Sequence, residues 1–279
     1  MKKIILFFSL VILLSQGLFA QEGLLGMKKK IILSLMKHPP MDVGIAIIHV
    51  EKKDTMLFNN NIKYPMQSVY KFPLALAVMN KVEKGKYKLD DKIKSKDSIA
   101  LLSFLLEKTV KESDNNTCDI LFNKIVSPKK VNAYVKSLGV KGIEIINTEK
   151  QMHENVDLAY DNYCYPLSMT ELLYKTFFTQ SLNQETKIYL KSIMNGKSPL
   201  RLGKYLPENV NLWHKSGTGP RNPKGVVMAV NDVGVMEIDE NNHVIISVFM
   251  KNISLDYPVA EDLIGKIGQI VYDYYKPTK

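Results

Sequence analysis

The chain has 279 residues, of which 46% are apolar, and 38 Lys and Arg residues outweigh 28 Asp and Glu residues to give a net charge of +10. This composition excludes a disordered chain and is typical of a globular protein with ample length for a buried core. Lysines are scattered along the chain and arginine occurs only at Arg201 and Arg221, whereas nucleic-acid-binding proteins favour clustered, forked guanidinium groups. We therefore expect a solvated lysine-rich surface and no nucleic-acid partner.

The first twenty residues form a candidate export signal. Lys2 and Lys3 precede an apolar run over 4–14, and the segment ends at Leu18-Phe19-Ala20. The run is too short to span a bilayer, and no later stretch reaches the roughly 18 apolar residues of a spanning helix. We predict a signal peptide over residues 1–20, cut near Ala20, and a periplasmic or secreted monomer without a membrane anchor.

The predicted elements alternate between groups of strands and one long helical segment. Residues 22–38 have the apolar period of a helix and are followed by a β-hairpin with strands at 43–50 and 54–58. Helical patterns then occupy 71–84, 99–110, 117–125, 129–138 and 168–179. Strands return at 210–215, at 225–239 with a break expected at Asn231-Asp232, and at 243–251, and a helix from Asp256 to Tyr275 follows.

This order of elements predicts an α+β protein in which one antiparallel sheet, flanked by the terminal helices, packs against an inserted all-helical lobe. The sheet-and-helix lobe would comprise residues 21–66 and 194–279, and the helical lobe residues 67–193. We expect a small-molecule site in the cleft between the two lobes.

Ser68 is the strongest candidate nucleophile. The pattern Ser-x-x-Lys places a hydroxyl and an amine one helical turn apart, so that the amine can take the serine proton. The pattern occurs at Ser34, Ser68 and Ser127, but only Ser68 follows an extended segment and opens an apolar helix. The positive end of that helix would favour a developing alkoxide. By itself, the pattern is better explained by a helix N-cap.

Two further motifs, each present once, change that interpretation. Ser113-Asp114-Asn115 follows the helical pattern over 99–110, and Lys215-Ser216-Gly217-Thr218 ends a strand pattern. Together with Ser68 and Lys71, in this chain order, they are the signature of serine β-lactamases and penicillin-binding proteins. The sequence therefore predicts acyl transfer through Ser68.

The mature chain as a whole resembles the class A serine β-lactamases, and especially their PER and CfxA branch. The stretches that carry the resemblance are 64–72, 113–121 and 148–153, and Leu200-Arg201-Leu202 and Asn231-Asp232-Val233-Gly234 fit it as well. It implies a serine β-lactamase/DD-peptidase-like fold, a small β-lactam as substrate and no cofactor.

The resemblance implies a role for each motif residue. Ser68 would be acylated, with Lys71 as its proton partner either alone or together with Glu149, and Ser113 would relay a proton to the lactam nitrogen. The N–H groups of Ser68 and Thr218 would form the oxyanion hole. The residues that would bind substrate are Asn115 for its amide side chain, Lys215, Ser216 and Thr218 for its carboxylate, and His153 beside the hydrolytic water.

Glu149 decides between a hydrolase and a mere acyl acceptor. A carboxylate is the natural base for the water that releases the acyl group, although the sequence around Glu149 alone favours an exposed loop residue. The resemblance assigns it the role of base. Two alternatives remain: a small penicillin-binding DD-peptidase, which would share the motifs without the Glu149 loop, and a non-hydrolysing β-lactam-binding protein.

The chain departs from the resemblance in one place. The interval between Ser68 and Ser113 is shorter than expected, and the missing material falls between Lys94 and Leu102. That loop normally carries an aromatic wall of the cleft, so the site is expected to be unusually open and its substrate preference is left undetermined.

Cysteine and histidine usage adds little chemistry. Cys118 and Cys164 could pair in an oxidising compartment, but a buried free thiol is at least as good an interpretation of Cys118. The histidines lack the spacing of a zinc motif, so no metal site is expected.

Overall fold

The computed structural model describes residues 23–96, 98–195 and 201–277. The predicted signal peptide, residues 1–20, lies outside them. The helices and strands are, in chain order, α1 (23–35), β1 (Asp42–His49), β2 (Thr55–Phe58), β3 (Tyr64–Pro65), α2 (Lys71–Glu83), β4 (Lys92–Lys94), β5 (Ile99–Leu101), α3 (Leu102–Lys111), α4 (Asn115–Lys124), α5 (Pro128–Ser137), β6 (Ile143–Glu144), α6 (Glu149–Glu154), β7 (Tyr163–Cys164), α7 (Pro166–Phe178), α8 (Gln184–Met194), β8 (Asn211–Thr218), β9 (Val227–Asp239), β10 (Asn242–Ile253) and α9 (Tyr257–Tyr275). Within those ranges, no helix is long and apolar enough to cross a membrane.

A five-stranded antiparallel sheet in the order β2-β1-β10-β9-β8 lies at the centre of the fold. Its inner strands are apolar on both faces because both faces are covered. One face packs against α1 and α9 through residues such as Met27 and Ile267. The opposite face contributes Val235 and Phe249 to the core of the helical part. The predicted α+β class is confirmed.

The helical part is built around α2, which is buried continuously from Lys71 to Met79. A helix that is apolar nearly all round needs neighbours on every side, and α3, α4, α5 and α8 contact it. Their side chains join the sheet face in a single hydrophobic cluster. The division of the chain into two lobes stays a prediction.

The inserted region, expected to be all-helical, also contains four short strands. β4 pairs with β5, and β7 pairs with both β3 and β6. The helix that the sequence predicts over 99–110 is wrong at its start, because Ile99–Leu101 forms β5 and α3 begins only at Leu102. Strands of two or three residues are too short to show an alternating pattern in the sequence, which is why they were not predicted.

The break expected at Asn231-Asp232 is wrong, because β9 runs unbroken through both residues. Their polar side chains are buried but have partners. Asn231 Nδ2 donates to the Met66 carbonyl at 3.1 Å. Asp232 contacts His214 Nδ1 at 2.8 Å and accepts the Leu202 N–H at 3.0 Å. These tertiary bonds offset the low strand preference of Asn and Asp.

Both cysteines are buried free thiols. Burial raises the pKa of Cys118 to about 12 and that of Cys164 well above its ordinary value. Since the thiolate is the reactive form, neither side chain has the character of a nucleophile.

Candidate active site

Ser68 lies on a one-turn 3-10 helix, Gln67–Tyr70, that runs directly into α2. Gln67 has a positive φ of 49°, a conformation that strains a residue with a side chain and recurs at functional sites. The bonds from Asn231 Nδ2 to the carbonyls of Pro65 and Met66, 2.9 and 3.1 Å long, hold the segment before this turn. The N-cap of α2 is Tyr70, so the N-cap interpretation of Ser68 does not apply.

Lys71 is the polar centre of the site. Its side chain is fully buried, and its Nζ donates to the Ser113 carbonyl at 2.7 Å and to Asn115 Oδ1 at 2.6 Å. Glu149 Oε1 lies 3.0 Å from the same nitrogen. An ammonium group has three N–H donors, and here three oxygens surround it.

Ser113 bridges two buried lysines. Its φ of 60° lets its carbonyl face Lys71 while its hydroxyl accepts a hydrogen bond from Lys215 Nζ at 3.1 Å. The next residue, Asp114, caps α4 by accepting the Thr117 N–H at 2.7 Å, which fixes the turn. The motif thus joins α2 to β8 across the cleft.

Lys215 lies on β8 and is almost completely buried. Its Nζ donates one hydrogen bond to the Ser113 hydroxyl and another to the Ser216 carbonyl, at 3.0 Å. Burial, together with the nearby positive charge of Lys71, lowers the pKa of Lys215 to about 7. The site therefore holds an ammonium group that an incoming anion would stabilise.

The absence of a side chain at Gly217 brings β8 against the Ser68 turn. A Cβ there would lie 2.6 Å from the Met66 carbonyl oxygen and 3.0 Å from the backbone nitrogen of Ser68. The N–H of Gly219 bonds to the Ala229 carbonyl on β9 at 2.8 Å. Because N–H groups alternate in direction along an edge strand, the Thr218 N–H is directed away from β9, towards the open edge of the sheet.

Arg201 supports the end of β8 and was not among the sequence-predicted site residues. It is almost fully buried. Its guanidinium donates to the carbonyls of Gly217 and Asn231 at 2.9 and 2.7 Å, to Thr218 Oγ1 at 2.6 Å, and to Glu261 Oε1 at 2.9 Å. A positive charge is thereby fixed behind the Thr218 side chain.

Glu149 is the first residue of α6 and not an exposed loop residue, since its side chain is only 13% exposed. Thr148 and Gln151 form a capping box at the start of this helix. Asp119 on α4, which sequence reasoning missed, accepts the backbone N–H groups of Glu149 and Lys150 at 2.9 and 2.8 Å. These contacts fix the carboxylate beside Lys71.

The remaining predicted residues lie around this network. Ser216 and Thr218 are on β8, with Ser216 buried. His153 is exposed on α6 and lines a cleft cavity of about 420 Å³ together with Asn115 and Thr218. Within the described part of the chain, no group of three or more His, Cys, Asp or Glu side chains could hold a metal ion.

Part of the shortened segment between Lys94 and Leu102 forms β5, which pairs with β4 in a hairpin. Ser95 closes it with a backbone bond to the Ser98 carbonyl at 2.8 Å and a hydroxyl contact to Ser98 Oγ, also at 2.8 Å. Residues 92–101 contain no aromatic residue, so the chain offers no aromatic wall here.

Comparison with known proteins identifies the family. A family model described as the beta-lactamase enzyme family matches residues 27–275. The chain is 32% identical to beta-lactamase VEB-1 of Pseudomonas aeruginosa, over 87% of this chain and 88% of that protein. It is 28% identical to extended-spectrum beta-lactamase PER-1 of the same organism, over 91% and 88%.

A solved structure shares the same fold. A representative class A beta-lactamase from Bacteroides cellulosilyticus superposes with a TM-score of 0.82 at 32% identity, covering 89% of this chain and 96% of that one. The resemblance found in the motifs is confirmed along the whole fold. The chain belongs to the beta-lactamase enzyme family and is a class A β-lactamase.

Proposed function

We propose that the protein hydrolyses β-lactam antibiotics through an acyl-enzyme on Ser68 that is released by water activated by Glu149. The observation that carries the proposal is the arrangement of two buried lysines bridged by Ser113 beside the Ser68 turn.

Acylation begins when Ser68 Oγ attacks the lactam carbonyl carbon. The Ser68 proton passes to Lys71. Lys71 must be a neutral amine to take it, so its ammonium first gives up one proton, to Glu149 3.0 Å away or, in a variant without that carboxylate, to water in the cleft. The negative charge on the carbonyl oxygen is stabilised by the N–H groups of Ser68 and Thr218, where loss of one donor costs about 3–4 kcal/mol.

Collapse of this intermediate breaks the bond between the carbonyl carbon and the lactam nitrogen. The nitrogen takes the hydroxyl proton of Ser113. That proton is free to move because Ser113 Oγ accepts its hydrogen bond from Lys215. Ser113 then recovers a proton from the Lys71 ammonium, Lys71 takes back the proton held by Glu149, and the product is an ester on Ser68 with Glu149 again a carboxylate.

Deacylation completes the cycle. Glu149 removes a proton from a water molecule, which attacks the ester carbonyl carbon, and the bond to Ser68 Oγ breaks with return of a proton to Ser68. Asp119 orients Glu149 through the backbone of α6. His153 lies on the rim of the same cavity.

Substrate binding uses the positive charge of the site. Lys215, Ser216 and Thr218 hold the substrate carboxylate, with Arg201 reinforcing Thr218 from behind. Asn115, whose Oδ1 is held by Lys71, keeps its amide N–H groups for the carbonyl of the substrate side chain. Export by residues 1–20 would place this activity outside the cytoplasm, where the antibiotics act on the cell wall.

The buried Lys71–Glu149 pair favours a hydrolase over a non-hydrolysing binder, which needs no base for deacylating water, and over the DD-peptidase alternative, which would share the motifs without the Glu149 loop. Purified protein beginning at Gln21 should turn over the chromogenic cephalosporin nitrocefin many times and release no D-alanine from an acyl-D-Ala-D-Ala peptide. Colour release limited to one equivalent per protein would support a binder, and D-alanine release a peptidase.

A further inference from the structure

Tyr70 has a buried hydroxyl group that the mechanism does not use. The residue ends the 3-10 helix that carries Ser68 and directly precedes Lys71, and its side chain is fully buried. Its ring stacks on that of Phe122, with the ring centroids 5.9 Å apart. A phenylalanine would make the same ring contact, and a buried hydroxyl without a partner costs folding free energy. The hydroxyl is therefore expected to have a partner that offsets the cost of its burial.

Two side chains lie within hydrogen-bonding reach of the Tyr70 hydroxyl. Its oxygen is 3.5 Å from Cys118 Sγ on α4, and the second neighbour is the Glu149 carboxylate at the start of α6. Burial, followed by the influence of Cys118 and Glu149, raises the pKa of Tyr70 well above its ordinary value, so the hydroxyl keeps its proton. Burial likewise raises the pKa of Cys118 to about 12, so the thiol is protonated too.

The chemistry of these three side chains decides which atom donates to which. Tyr70 has a single O–H, which can be given to a thiol sulfur, a weak acceptor, or to a carboxylate, whose hydrogen bonds are about twice as strong as those between neutral groups. The Tyr70 hydroxyl therefore donates to Glu149, and the Cys118 S–H donates to the Tyr70 oxygen. Glu149 then has two proton donors around its side chain, Lys71 Nζ at 3.0 Å and the Tyr70 hydroxyl.

We propose that Tyr70 is a positioning residue for the reaction: its hydroxyl holds the Glu149 carboxylate beside Lys71 and favours its ionised form, and Cys118 orients that hydroxyl. This proposal rests on the proposed function, because Glu149 acts as a base only if a β-lactam is hydrolysed through Ser68. Glu149 must be ionised both to take the Lys71 proton and to activate water, so Tyr70 extends activity towards lower pH. The other titratable or charged side chains that face Glu149, or adjoin it on α6, are Lys71, Cys118, Asp119, Lys150, His153 and Lys215.

The test is the pH profile of kcat for nitrocefin. Tyr70→Phe removes the hydroxyl, keeps the ring stack on Phe122 and leaves those other side chains in place. The acidic limb of the profile should shift to higher pH by roughly 1 unit, since a hydrogen bond to a charged group is worth about that much. Below the limb, kcat should fall by up to about 10-fold, whereas on the neutral plateau it should equal or exceed that of the wild type, because a carboxylate that has lost a hydrogen bond is a stronger base. Tyr189→Phe is the matched control: it removes a hydroxyl that donates to the Ser103 carbonyl at 3.2 Å, and it should leave the profile unchanged.

A double variant tests whether Tyr70 acts through Glu149. With Glu149→Gln in place, adding Tyr70→Phe should change the residual rate of deacylation by less than about 2-fold at any pH. A profile that Tyr70→Phe leaves unshifted would overturn the proposal, and so would a loss of equal size at every pH, which is what a purely structural role produces. A full pH-dependent effect of Tyr70→Phe in the Glu149→Gln protein would overturn it as well. Undiminished turnover by Glu149→Gln alone would instead refute the proposed function.

Discussion

Replacing Glu149 with Gln separates acylation from hydrolysis. The change keeps the size of the side chain and removes the base. The backbone bonds from residues 149 and 150 to Asp119, 2.9 and 2.8 Å long, do not involve the Glu149 side chain and should hold α6 in place. Lys71 loses its ion pair at 3.0 Å but retains its bonds to Ser113 and Asn115.

The magnitude follows from the role of the lost group. Acylation should survive, because Lys71 remains one turn from Ser68 to take its proton. Deacylation should fall by roughly the 10²–10⁴-fold that a positioned general base contributes, which is about 3–5 kcal/mol of barrier. Stopped-flow measurement with nitrocefin should show a burst of one equivalent followed by a slow steady state.

Glu154→Gln provides the matched control. Glu154 ends the same helix, is largely exposed, and lies 3.8 Å from Lys150 in a surface ion pair, so its loss should leave turnover unchanged. Undiminished steady-state turnover by Glu149→Gln would refute the assignment of the base. Equal losses in both variants would indicate a general effect on α6.

Two further outcomes concern the active site, and a third concerns export. Burial and the charge of Lys71 lower the pKa of Lys215 to about 7, so this side chain is charged below that pH and neutral above it. The KM for substrate should therefore rise as the pH increases through about 7. Lys215→Arg, which stays charged, should lack this rise. Gly217→Ala places a Cβ 2.6 Å from the Met66 carbonyl oxygen. The overpacking should cost about 1–3 kcal/mol of folding stability, lower Tm by several degrees and reduce kcat/KM. Unchanged values of Tm and kcat/KM would contradict the close approach of β8 to the Ser68 turn. N-terminal sequencing of exported protein should begin at Gln21, and a retained Met1 would refute the signal peptide.

The reactive residues could be predicted from the sequence because the members of each motif lie close together in the chain. Ser68 and Lys71 are one turn apart, and the other motifs are each three or four residues long, so their geometry is written in adjacent positions. The capping box at Thr148 and Gln151 was also visible in the sequence and would have placed the start of α6 at Glu149.

Arg201 and Asp119 could not be found in this way. Each is a single polar residue whose role depends on backbone groups far away in the chain: Arg201 on the carbonyls of β8 and β9, and Asp119 on the start of α6. The unbroken course of β9 through Asn231 likewise depends on a partner, the Met66 carbonyl, that no local pattern reveals.

The identity of the nucleophile is tested most directly by locating the acyl group. Glu149→Gln protein should be mixed with a penicillin and its intact mass measured, followed by peptide mapping of the adduct. The account predicts a mass increase of one whole penicillin on the peptide that contains Ser68, and no adduct when Ser68→Ala is added to the same protein. Labelling that persists in the double variant, or that maps to another residue, would contradict it.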